Sequence, residues 1–90
     1  IATPAAIDAL LPLLADGSET LRIAALDALR EANAVIDPAL LRPLLASQIC
    51  RRAAAAVLGQ TRSPDAATML VDLLTDAMAG VRAAAAVALC

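Results

Sequence analysis

Leucines recur at helical spacing in three stretches of the chain: Leu10, Leu13 and Leu14, then Leu41, Leu44 and Leu45, then Leu70, Leu73 and Leu74. Steps of three and four residues bring side chains onto one helix face, so each stretch predicts a helix with a buried stripe. A capping residue and a proline precede each one, as Thr3-Pro4, Asp37-Pro38 and Ser63-Pro64. The cap oxygen accepts from N–H groups that have no partner inside the helix, and proline at the first helical position forfeits no hydrogen bond. First helices are therefore expected over residues 4–15, 38–46 and 64–75, bent at Pro12 and Pro43. Alanine-rich second helices are expected over 19–33, 48–59 and 79–90, with Gly59 as a C-terminal stop. Strand signals are absent.

The second helices repeat one another. LRIAALDALR (21–30), CRRAAAAVLG (50–59) and VRAAAAVALC (81–90) align without gaps, with Arg22, Arg51 and Arg82 in the second place and Leu29, Leu58 and Leu89 in the ninth. The leucine offsets are 29 and 31 residues, and the first helices align at 31 and 29, so the middle unit has the shorter internal turn. Helix pairs of about 30 residues that cannot bury their apolar faces alone predict an all-α fold, an α-solenoid of three stacked pairs. One domain, 1–90, is expected, with units near 3–34, 37–60 and 63–90. The start at Ile1 without Met and the end inside an apolar run at Cys90 lead us to expect a piece of a longer array.

Composition narrows the chemistry. Hydrophobic residues make up 61% of the chain and aromatic residues 0%, so the core must be assembled from Leu, Ala, Val and Ile. Seven arginines face nine acidic residues for a net charge of -2, with no basic strip for nucleic acid. Charged residues interrupt every apolar run well before the ~20 residues needed to span a bilayer, so no membrane association is expected. The sequence holds no His, Lys or Tyr, which removes the usual general bases and Schiff-base amines, so an enzyme is not expected. Asp72 and Asp76 share a helix face, but two carboxylates alone make a poor metal cage. Gly17, Gly59 and Gly80 form no phosphate-cradling run. Neither a metal nor a cofactor is expected. Cys50 opens its helix and Cys90 closes the equivalent one, about 13 Å apart along the axis, too far for a disulfide. Both read as thiols in small apolar positions, which favours a reducing, cytoplasmic compartment.

A leucine-rich first helix, a turn opened by Asp, and then VR-x-x-A-x-x-A-L-G together resemble the HEAT-like repeat of the type named for phycobilisome lyases. LLADGSETLRIAALDAL and LLTDAMAGVRAAAAVAL carry the pattern, and LLASQICRRAAAAVLG carries it with a deletion. The resemblance spans nearly the whole chain and implies scaffolds and binding surfaces. HEAT-like hydroxylases acting on deoxyhypusine use His-Glu metal motifs, which this chain lacks. The resemblance further implies a structural ladder in which Asp16 pairs with Arg22 and Asp76 with Arg82. Ser47 stands where the middle unit would have its Asp, which leaves Arg51 to take Asp16 or Asp76 from a neighbour, or to face solvent. A guanidinium fork suits this task because it bridges a carboxylate and exposed turn carbonyls.

If the first, fifth, eighth and ninth places of the second helices face inward, the outward places are nearly uncharged. They include Ile23, Leu26, Ala55, Ala56, Ala83, Ala86 and Val87, and the expected surface is an alanine-floored groove edged by Arg30, Glu31 and Arg52. An apolar patch of several hundred Å² marks an interaction site, and small side chains let a partner helix approach closely. Alanine also favours helix without any partner. The expected function is a non-catalytic scaffold binding a protein partner, neighbouring repeats or another copy through this face. The alternative is a non-catalytic or regulatory part of an enzyme complex, such as a chromophore-lyase-like subunit. Duplex binding is disfavoured by the acidic balance and the lack of aromatic wedges.

Overall fold

Capping chemistry sets where the helices begin. In the computed structural model, which describes residues 4–89, α1 spans Pro4–Leu10, α2 Glu19–Glu31, α3 Pro38–Leu41, α4 Gln48–Gln60, α5 Pro64–Leu73 and α6 Ala79–Leu89. No strand occurs among the described residues. Asp37 Oδ1 accepts from the Ala39 N–H at 3.0 Å and Ser63 Oγ from the Ala66 N–H at 3.2 Å, as the two Xaa-Pro starts predict. Ser18 caps α2 by accepting from the Leu21 N–H at 3.4 Å. Thr3, the expected cap of α1, and Cys90 lie outside the described residues.

Proline decides how the first helices end. α1 and α3 give way to 3-10 turns at Leu11–Ala15 and Arg42–Ala46, each beginning one residue before a proline. Proline cannot donate to the carbonyl four residues back and its ring crowds that carbonyl, so the tighter winding takes over. α5 carries Asp72 at the aligned place and stays α-helical to Leu73. The end of α2 falls on Asn33, whose φ of 53° is left-handed. There the Ala34 N–H reaches the Leu29 carbonyl and the Asn33 N–H the Arg30 carbonyl, both at 3.1 Å. This paired closure needs a residue that tolerates positive φ, and asparagine is one.

α4 sits between α2 and α6 and makes its broadest contacts with those two helices. Against this row pack the 3-10 turn Leu11–Ala15 on α2, the turn Arg42–Ala46 on α4, and α5 on both α4 and α6. The core between the rows holds Leu26, Leu29, Leu41, Val57, Leu58 and Val81, all fully buried, together with the free thiol of Cys50. The radius of gyration is 12.0 Å, and a globular chain of this length has about 12 Å, so the six helices pack compactly. No helix among the described residues is long and apolar enough to cross a membrane.

The fold departs from the sequence-based expectation at two places. Gly59 does not stop α4, which runs on to Gln60; it marks instead a close approach of α4 to α6, since a Cβ on it would lie 2.6 Å from the Ala88 Cβ. The sixth place of the second helices also turns inward, because Leu26 and Ala55 are both fully buried. At about 100° per residue the first, fifth and ninth places span about 80° of the helix, and the sixth lies only about 60° beyond. The next helix pair covers it there. Ala86, the same place on α6, has no following helix among the described residues and is exposed.

Candidate functional site

Turns come first, because they place the arginines. Arg22 Nη1 donates to the Asp16 carbonyl at 2.5 Å, and Arg82 Nη1 donates to the Asp76 and Ala77 carbonyls at 2.7 and 3.1 Å. The carboxylates meanwhile fold back on their own turns: Asp16 Oδ1 accepts from the Ser18 N–H at 2.8 Å and Asp76 Oδ2 from the Met78 N–H at 2.9 Å. Within a unit, then, arginine holds the turn by its carbonyls rather than by the carboxylate. Arg51 takes Asp76 of the following unit: its Nη1 lies 2.7 Å from Asp76 Oδ1 while Nε donates to the Leu45 carbonyl at 2.7 Å. Ser47, standing where the other units have Asp, donates to Glu19 Oε2 at 2.8 Å and so ties the middle turn to the first unit. The Met78 N–H, together with the Arg51 guanidinium and the nearby charge of Arg82, holds the Asp76 carboxyl below its ordinary value against the opposing pull of desolvation.

A second set of ties escaped the sequence reading. Gln60 Nε2 donates to the Leu29 and Ala34 carbonyls at 3.2 and 3.1 Å, sealing the end of α2 from α4. Buried Thr61 both donates to the Ile36 carbonyl at 3.0 Å and accepts the Ile36 N–H at 3.1 Å. The only sequence signal was the start of the polar run Gln60-Thr61-Arg62-Ser63, at the point where the repeat alignment ends.

Above the row of second helices lies an open groove of about 780 Å³. α4 contributes Ile49, Arg52, Ala53, Ala56 and Gly59, and α6 contributes Gly80, Ala83, Ala84, Val87 and Ala88. On each helix these residues follow the i, i+3, i+4, i+7 spacing of a single face, with Ala53, Ala84 and Ala88 also packed against the core. Both helices line the groove along their length, so it follows their axes. Asp27 and Arg30 of α2 close one side, and Arg62, just beyond α4, also lines it. Val87 is 75% exposed and Ile49 59%, so apolar surface faces water within it.

The groove inverts the charge of the chain. Three arginines, Arg30, Arg52 and Arg62, stand against the single carboxylate of Asp27, for a local charge of +2 on a chain of net -2. Among the described residues none of the three arginines donates a hydrogen bond or forms an ion pair, whereas Arg22, Arg51 and Arg82 are all occupied by turns. The stem of Arg52 crosses α6 at Gly80, its Cδ lying 3.7 Å from where a Cβ would stand. The chain matches no known protein family, no curated protein and no solved structure.

Of the residues expected on the binding face, Arg30, Arg52, Ala56, Ala83 and Val87 meet in this groove. Leu26 and Ala55 do not, being core residues, and Ile23, Glu31 and Ala86 lie outside its lining. Arg62 and Ile49 belong to the groove although the sequence reading left them out. Ile49 precedes the aligned ten-residue string by one place and Arg62 follows it by three, so both fall outside the repeat. Among the described residues no three His, Cys, Asp or Glu side chains gather as metal ligands.

Proposed function

We propose that this chain is a HEAT-like repeat scaffold, non-catalytic, that recognises a protein partner through the groove over α2, α4 and α6. The observation that carries this reading is the groove itself, with its floor of small side chains and its unpaired arginines. A floor of alanine and glycine has little chemistry to offer a small molecule but lets another backbone come close. The solenoid reading is supported by the order of contacts, α2 on α4 and α4 on α6, and by turn ties that run from each unit to the next. On this reading Ala86 and Leu89, exposed on the outer side of α6, form the seat of a further repeat.

A photoactivatable residue at position 83 tests it. It should cross-link a defined protein in cells of the source organism, while the same residue at exposed Val35, outside the groove, should not. The purified partner should then bind the chain directly, with affinity weakened at least about tenfold by Ala56→Glu at unchanged melting temperature. Cross-linking equally strong from both positions, or binding indifferent to Ala56→Glu, would overturn the proposal.

A further inference from the structure

Resting on the reading of this groove as a protein-binding face, we propose that its occupant is an acidic amphipathic helix of a partner protein. Such a helix would lie along the valley between α4 and α6, with carboxylates meeting Arg30, Arg52 and Arg62. Charge complementarity is the first argument. Three guanidinium groups line one groove in which Asp27 is the single carboxylate, and none of the three is held in an ion pair. Leaving them unpaired is tolerable in water, and a partner's carboxylates would find donors with no internal bond to break.

Geometry argues for a helix. The floor presents Ala53, Ala56, Ala83 and Ala84 at helical spacing, and small residues allow axes to approach to about 8 Å. The chain offers no strand edge among its described residues on which an extended peptide could add hydrogen bonds. Arg52 lies within α4 and Arg62 two residues beyond its end at Gln60, so the two flank a helical stretch of eight residues, about 12 Å. A partner helix meeting both therefore needs acidic residues at least about two turns apart, with alanine or leucine at i, i+3, i+4 and i+7 between them. A nucleic acid is a poorer occupant: the chain has no aromatic residue on which bases could stack, and the floor offers methyl groups to a phosphate backbone.

The test uses the chain as it stands and three fluorescein-labelled 20-residue probes: a helical peptide with that alanine and leucine stripe and flanking glutamates, its Glu→Gln counterpart, and a duplex DNA of matched charge. The glutamate peptide should bind at least about tenfold more tightly than the glutamine peptide, and raising salt should weaken only the former. Arg30→Gln, Arg52→Gln and Arg62→Gln should each weaken it about three- to tenfold, with helical circular dichroism unchanged. Because the glutamine peptide changes only the ligand, the comparison holds even where an arginine variant loses stability. Equal binding of both peptides, abolished by Ala56→Glu, would overturn the acidic partner and leave the protein-binding groove standing. DNA binding lost in the arginine variants would overturn both. An arginine-dependent dimer of the free chain in sedimentation would replace the acidic helix with a second copy.

Discussion

Leu26 separates two ways of reading the repeat. Placed outward it would be the largest apolar residue of a binding face, yet it is fully buried where α2 meets the next helix pair. Leu26→Ala is accordingly expected to cost about 2–5 kcal/mol in urea denaturation, the range for a leucine removed from a core. A loss under about 0.5 kcal/mol, typical of surface changes, would return it to the surface. Two glycines make a sharper pair. A methyl group at Gly59 collides with the backbone and Cβ of Ala88, whereas nothing lies within 4 Å of one at Gly17. Gly59→Ala should therefore destabilise by about 1–3 kcal/mol despite alanine's better helix propensity. Gly17→Ala should be neutral or stabilising by up to about 1 kcal/mol, because it only narrows the unfolded ensemble. Thermal melts of the two variants moving in the same direction would contradict the close packing of α4 on α6. Asp76 supplies the pH dependence. Its carboxyl sits below the ordinary value of 3.8 when folded, so its contribution is present above that value and is lost as pH falls through the lower, folded one. The stability gap between the wild type and Asp76→Asn should thus shrink as pH falls from about 5 to below 3.8, and a gap independent of pH would show that the folded carboxyl is not held low.

At the scale of elements, helix starts and periodicity were legible from residues alone, and helix ends were less so. Asp37-Pro38 and Ser63-Pro64 act as read because a cap and a proline need only their immediate neighbours. The 3-10 turns at Leu11–Ala15 and Arg42–Ala46 refine the bends expected at Pro12 and Pro43, and α5, with Asp72 in place of proline, serves as the internal control. Gly59 misled because a glycine near a helix end is equally suited to stopping the helix and to letting another helix touch it; only the position of Ala88 decides. The ties made by Gln60 and Thr61 were illegible for a related reason, since their partners lie 25 to 31 residues away in backbone carbonyls and amides that carry no side-chain signature. Gln60→Ala removes two hydrogen bonds to the end of α2 and should cost about 1–3 kcal/mol. Amide hydrogen exchange should then accelerate at Asn33 and Ala34 more than at Leu58. Uniform acceleration across the chain would show instead that Gln60 contributes only to global stability.

At the scale of the whole molecule, the same arginine has two fates that composition does not distinguish. Arg22, Arg51 and Arg82 stand in the second place of each repeat and are consumed by turns, which the spacing foretold in outline, while Arg30, Arg52 and Arg62 are left at the groove. An arginine-edged, alanine-floored groove was legible from the outward places. Its inward limit at Leu26 and Ala55 was not, because the sixth place is covered only once a neighbouring helix pair is present. The result is a chain of net -2 whose groove over α4 and α6 is locally positive. That contrast predicts where an acidic helix settles. Nitrogen-proton NMR of the labelled chain, titrated with the glutamate peptide, reads it directly. Shifts should concentrate at Ile49, Ala53, Ala56, Ala83, Ala84 and Val87, leaving α5 and the Asp16 and Ser47 turns unmoved. Shifts centred on α5 or on those turns, with the alanines of α4 and α6 unchanged, would contradict it.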